Sequence, residues 1–134
     1  MTAQVIYKGT LRCQAEHLQS GSFIETDAPT DNHGKGERFS PTDLLCVSLA
    51  TCVVTTMGIK ADDMKIDLSE TTVEVTKYML PDPRRVAKIE VTLNMPSSLQ
   101  IEEKDRVILE RIGNNCPVTK SLHPNMEVDI KYNW

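Results

Sequence analysis

The chain has 134 residues, 40% apolar and 25% charged, with a net charge of −4; that size predicts one domain, 1–134, burying about two-thirds of its unfolded surface. The acidic balance, scattered Lys and Arg and scarce aromatics speak against nucleic acid, which needs basic stripes and stacking platforms. No unbroken apolar run reaches the roughly 18 residues of a membrane span, and Met1-Thr2-Ala3-Gln4-Val5 has no secretory-signal pattern, so a cytoplasmic protein with no membrane partner is expected.

Val5 to Cys13 reads as a strand with a turn or bulge near Gly9, and Ser22 to Thr26 as its hairpin partner after Gln19-Ser20-Gly21. Asp27 to Phe39, polar and carrying Pro29, Gly34 and Gly36, reads as a loop. A helix then begins: Ser40 suits the N-cap, Pro41 the first helical position, and Asp43 completes a capping box. The pattern runs through Met57 and is expected to stop at Gly58. Leu45, Leu49, Cys52 and Thr56 share one face, while Leu44, Val47, Ala50, Val53 and Val54 lie off it. A helix apolar on most sides is buried on several sides, between two sheets or two subunits.

Val73 to Leu80 reads as a strand, followed by a turn at Pro81-Asp82-Pro83. Ala87, Ile89, Val91, Leu93 and Met95 alternate with polar residues as in a half-buried strand. Ser97 with Gln100 suggests a capping box, opening a helix with Ile101, Ile108 and Ile112 as its stripe and Gly113 as its end. Cys116-Pro117-Val118-Thr119-Lys120 starts a short helix to Leu122. Met126, Val128, Ile130, Tyr132 and Trp134 alternate as a last strand. The order points to an α+β fold with antiparallel pairing around a long buried helix.

Four cysteines occur, Cys13, Cys46, Cys52 and Cys116, and no Cys-x-x-Cys spacing. In a reducing compartment structural disulfides are disfavoured, which leaves inert core thiols or catalytic ones. A buried thiol alone is packing more often than chemistry. Cys52 in the long helix together with Cys116 at a helix start suggests a reversible two-cysteine redox site. A thiolate at Cys52 needs an imported cation, because burial disfavours the charged form and the macrodipole fades within the first turn. Arg12 is the first candidate and Arg38 the second. Cys116 at an N-cap is set up as a thiolate and hence as a good leaving group. His17, His33 and His123 match no zinc spacing, Asp62-Asp63 and Glu102-Glu103 read as solvated faces, and Gly34-Lys35-Gly36 lacks the flanks of a phosphate loop. No metal or cofactor is expected.

Ser40-Pro41-Thr42-Asp43-Leu44-Leu45 followed by Ala50-Thr51-Cys52, with Cys116-Pro117-Val118-Thr119-Lys120 well downstream, resembles the OsmC/Ohr family of thiol-dependent peroxidases. The resemblance covers essentially the whole chain. It implies an intertwined homodimer with two long central helices between β-sheets and two sites at the subunit interface. It further implies that Cys52 attacks an organic hydroperoxide and becomes a sulfenic acid, that Cys116 condenses with it, and that an external dithiol reduces the disulfide. Arg12 would hold the Cys52 thiolate. One place departs: where the organic-hydroperoxide branch carries a glutamate after the helix-starting proline, this chain has Thr42, with Asp43 next. A small-molecule binding protein of the same fold with little or no peroxidase activity is the alternative reading.

Overall fold

The computed structural model describes residues 1–134. The chain divides into two compact units, Met1–Leu45 and Cys46–Trp134. The first holds a three-stranded sheet, β1 (Ala3–Gly9), β2 (Arg12–His17) and β3 (Phe23–Asp27), in the order β1-β2-β3 with both pairs antiparallel. The single strand expected from Val5 to Cys13 is therefore two. The chain reverses at Thr10 and Leu11, both at positive φ (52° and 62°), the conformation of a tight hairpin turn usually left to Gly, Asn or Asp. The turn or bulge expected near Gly9 is present, with Gly9 at φ 82° and a register shift between Tyr7 and Gly9, but it is a full reversal, after which the chain pairs back as β2.

In this unit two residues are buried, Asp27 and Ser40, and both are polar. Register places Val5, Ala15 and Ile24 in one cross-strand row and Tyr7, Cys13 and Thr26 in the next. Val5, Tyr7 and Ile24 on that face are 62%, 63% and 53% exposed, so the sheet carries an apolar face that its own unit leaves uncovered.

The loop after β3 contains a 3₁₀ turn at Thr30–Asn32 and doubles back on Ala28. Gly34 N–H donates to Pro29 O at 2.9 Å and Gly36 N–H to Ala28 O at 3.3 Å. A Cβ on Gly34 would run into the Ala28 carbonyl; this glycine serves close backbone approach, not phosphate binding.

Helix α1 (Pro41–Asp63) spans the boundary between the units. Its start is the expected capping box: Asp43 N–H donates to Ser40 Oγ at 3.0 Å, and Ser40 N–H to Asp43 Oδ2 at 2.8 Å. Its end is not where Gly58 suggested. A lone glycine in a helix costs only about 1 kcal/mol, and Ile59 through Asp63 continue the helix. Cys46, Leu49, Ala50, Val53, Met57 and Ala61 form its buried stripe. With 23 residues and a mean hydropathy of 1.8 in its most apolar window, α1 is long and apolar enough to cross a membrane by length and composition; its interspersed Ser, Thr and Gly hid that from a search for unbroken apolar runs.

The second unit builds its core on a sheet ordered β4-β5-β6, from β4 (Thr72–Pro81), β5 (Arg84–Asn94) and β6 (Glu127–Asn133). β4 and β5 pair antiparallel, whereas β6 lies parallel to β5, a direction that alternation in sequence does not encode. Ile89, Val91 and Leu93 are fully buried as their alternation requires. The register slips where Tyr78 faces Lys88 and Met79 faces Val86, so Ala87 is passed over and Val86 is buried in its place.

Helix α2 (Glu103–Gly113) starts later than Ser97 and Gln100 suggest. Its N-cap is Glu102, without a side-chain cap bond, and Leu99 N–H donates to Pro96 O in a separate turn. Leu109 is its buried anchor; Ile108 is 41% exposed. Gly113 is the last helical residue and is itself buried. A Cβ there would stand 2.6 Å from Tyr132 Oη and 2.9 Å from Met57 Sδ, so this glycine lets α1, α2 and β6 meet. Gly113→Ala is expected to cost about 1–3 kcal/mol in urea unfolding, with Gly113→Ala/Tyr132→Phe recovering part of the loss. Equal stability of Gly113→Ala and wild type would contradict this packing.

Candidate functional site

Short helix α3 (Pro117–Ser121) follows α2 after Asn114 and Asn115, and Cys116 is its N-cap. Pro117 at N1 has no N–H to satisfy and its fixed φ suits the first turn. The turn is tied down on both sides. Cys116 N–H donates to Gly113 O at 3.3 Å, Asn115 Nδ2 donates to Arg111 O at 2.8 Å, and the Tyr132 hydroxyl donates to Asn114 Oδ1 at 2.9 Å. Burial, with Glu110 and Cys116 nearby, pushes the Tyr132 phenol up, so it stays a neutral donor.

Cys116 is fully buried. Its Sγ accepts from Thr119 N–H at 3.5 Å and lies 3.2 Å from Thr119 Oγ1. Burial pushes this thiol up, but the opposing donors win: the Thr119 hydroxyl, the Thr119 N–H, the Cys52 thiol and the Val118 N–H together bring it below the ordinary cysteine range. The Cys52 thiol is among the groups that favour a charged Cys116 sulfur.

Cys52 is half-buried on α1. Its Sγ is 3.9 Å from Thr56 Oγ1, yet the Thr56 proton goes to the Cys52 carbonyl at 2.7 Å. Thr56 therefore presents lone pairs to the sulfur. Thr51, which precedes it, donates to Val47 O at 2.9 Å. Cys13 on β2 is half-buried and Cys46 on α1 is buried; none of the four cysteines is in a disulfide.

Arg12 belongs to the first unit, at the start of β2, directly across from Asp27 on β3. Its Nε and Nη2 meet Asp27 Oδ1 and Oδ2 at 2.7 and 2.8 Å, and Nη2 also meets Glu37 Oε2 at 2.8 Å. The doubled-back loop supplies Glu37 and adds its N–H to Asp27 Oδ2 at 3.2 Å. The Arg12 hydrogen bonds hold the Asp27 carboxyl below its usual range although burial opposes this, and the two carboxylates keep Arg12 protonated. Asp27 and Glu37 were not singled out in the sequence. Counting the register back from the Ser22 hairpin would have placed Asp27 opposite Arg12; nothing local signals Glu37. Arg38 is instead paired with Glu25 at 2.9 Å and donates to Glu37 O at 3.0 Å. Asp43 is engaged in the α1 capping box, and Thr42 Oγ1 lies 3.1 Å from Ser40 Oγ.

No group of three or more His, Cys, Asp and Glu side chains is arranged to hold a metal. His17 Nδ1 bonds the Ser20 hydroxyl at 2.7 Å, and His123 Nδ1 accepts from Asn125 N–H at 3.1 Å.

Two titrations follow. The ultraviolet thiolate midpoint of Cys116, read as the difference between wild type and Cys116→Ser, should rise in the Thr119→Val background; an unchanged midpoint would contradict the donor set. Asp27, depressed in the fold, contributes stability that is present above the unfolded carboxyl value of about 3.9 and is lost as pH falls through its lower folded value. Asp27→Asn should lower Tm at neutral pH and narrow its gap to wild type as the solution is acidified through that window; a constant gap would count against the pairing.

A family model described as OsmC-like protein matches residues 34–131. The crystal structure of a candidate osmotic stress induced and detoxification response protein from Psychrobacter arcticus 273-4 superposes with a TM-score of 0.93 at 48% identity, covering 98% of this chain and 95% of that one. An organic hydroperoxide resistance protein OsmC from Legionella pneumophila shares the fold at a TM-score of 0.73 and 17% identity, over 100% and 98% of the two chains. The uncharacterised Bacillus subtilis protein YmaD is 22% identical over 122 residues, 85% of this chain and 81% of its own length.

Proposed function

The chain belongs to the OsmC-like protein family, whose relatives carry a redox and stress-response theme, and on that premise we propose that it is a thiol-dependent peroxidase of organic hydroperoxides. What supports this reading is the Cys116 sulfur, which has Thr119 Oγ1 at 3.2 Å and Thr119 N–H at 3.5 Å and the Cys52 thiol among the groups that favour its charged form. The Cys52 thiolate attacks the terminal peroxide oxygen. The O–O bond breaks, the alcohol departs, and Cys52 becomes a sulfenic acid. The Cys116 thiolate then attacks the Cys52 sulfur, hydroxide leaves as water after protonation, and a disulfide remains. An external dithiol returns both cysteines to the reduced form.

Arg12, reaching across a homodimer, supplies the cation for Cys52. Asp27 and Glu37 take the orienting part of the family glutamate absent at Thr42, and Nη1 makes none of their bonds. The homodimer draws support from the first unit, which buries no apolar side chain and leaves Val5, Tyr7 and Ile24 exposed on one sheet face. A patch of this kind calls for cover, and three strands without a buried face are not self-sufficient. A second reading, a small-molecule binder with weak peroxidase activity, is favoured by the engagement of Arg12 with two carboxylates.

Stopped-flow mixing with cumene hydroperoxide should show rapid loss of two thiols per chain. Cys116→Ser should lose one and stop as the sulfenic acid. Cys52→Ser should fall to the uncatalysed level; consumption at the wild-type rate by that variant would refute the assignment.

A further inference from the structure

Two sulfurs joined in a disulfide are not equivalent to an incoming thiol. Exchange runs fastest when the attacked sulfur is accessible and the other one leaves as a stabilised thiolate. Here the two cysteines differ on both counts. Cys52 is half-buried and Cys116 fully buried. Only Cys116 has a backbone donor, Thr119 N–H at 3.5 Å, and beside it at 3.2 Å a hydroxyl, Thr119 Oγ1, that can turn its proton to a charged sulfur. The hydroxyl next to Cys52 spends its proton on a backbone carbonyl. The Thr119 donors are held in place by the α3 turn itself, since Lys120 N–H donates to Cys116 O at 3.3 Å and Leu122 N–H to Thr119 O at 3.4 Å.

We propose that Thr119 is a catalytic residue of the reductive step: its hydroxyl and N–H receive Cys116 Sγ as the leaving thiolate, so that the external dithiol attacks Cys52 Sγ. This rests on the two-cysteine reading above and adds a direction to it. The first thiolate of the reductant forms a bond to Cys52 Sγ. The Cys52–Cys116 bond breaks, and its electron pair goes to Cys116 Sγ. The second thiol of the reductant, deprotonated, then attacks the reductant sulfur of the mixed disulfide. The electron pair of that bond returns to Cys52 Sγ, which takes up a proton. The dithiol leaves oxidised to its disulfide and the protein holds two reduced cysteines. Val118 N–H also favours the charged Cys116 sulfur, but Thr119 is the residue that contributes two donors, one of them removable by substitution.

The test begins with the disulfide made by diamide, so that peroxide chemistry is not involved. The oxidised protein is mixed briefly with 2-mercaptoethanol, quenched in acid, alkylated and mapped by mass spectrometry. The adduct is expected on Cys52, with Cys116 alkylated; an adduct on Cys116 overturns the proposal and leaves the peroxidase reading standing. Reduction of the disulfide by dithiothreitol should slow at least about tenfold in Thr119→Val, the worth of one hydrogen bond to a charged leaving group. The rate should return in Thr119→Ser. A Thr119→Val rate equal to wild type overturns it as well. If diamide gives the disulfide but hydroperoxide does not, the peroxidase reading fails alone. Failure of diamide to join Cys52 and Cys116 defeats both.

Discussion

The site depends on a contest at one sulfur. Burial works against a charge on Cys116, and four donors, two from Thr119, one from Val118 and one from Cys52, work for it and prevail. A fully buried cysteine without them would be an inert core residue. With them the charged form of the sulfur is favoured despite its burial. Everything around this point maintains the donor geometry. Gly113 lets α2 end against Met57 and Tyr132, Tyr132 holds Asn114, and Pro117 starts a turn short enough to aim Thr119 back at the cysteine.

The first unit solves a different problem with the same economy of means. Its two buried residues are polar, and the deeper interest lies in Asp27, which holds Arg12 across the β2–β3 pair. A guanidinium with two carboxylates is oriented and permanently charged, and it is also partly neutralised. That balance separates a peroxidase, in which Arg12 must still serve a thiolate, from a binding protein that has retired the chemistry. The apolar rows around Val5, Tyr7 and Ile24 stay exposed on this unit.

The α1 start and the Cys116 cap were legible because each is written in adjacent residues. Ser40, Pro41 and Asp43 form the capping box that their spacing implies. What stayed hidden depends on the fold around it. Gly58 did not end α1, because one glycine is too weak a break. Gly9 signalled a turn, but not that Thr10 and Leu11 complete it into a full reversal. Ser97 and Gln100 imitate a cap that α2 does not use. The bulge at Ala87 shifts burial to Val86, and the parallel direction of β6 has no local signature. Asp27 and Glu37 reach Arg12 through strand register and a loop folded onto Ala28, neither of which composition reveals.

The most direct test of the account is the identity of the bond formed when purified protein meets one equivalent of cumene hydroperoxide, read by peptide mapping without reduction. The account predicts a single Cys52–Cys116 disulfide within each chain, with Cys13 and Cys46 still reduced. Four intact thiols, or a disulfide drawn from Cys13 or Cys46 instead, would contradict it.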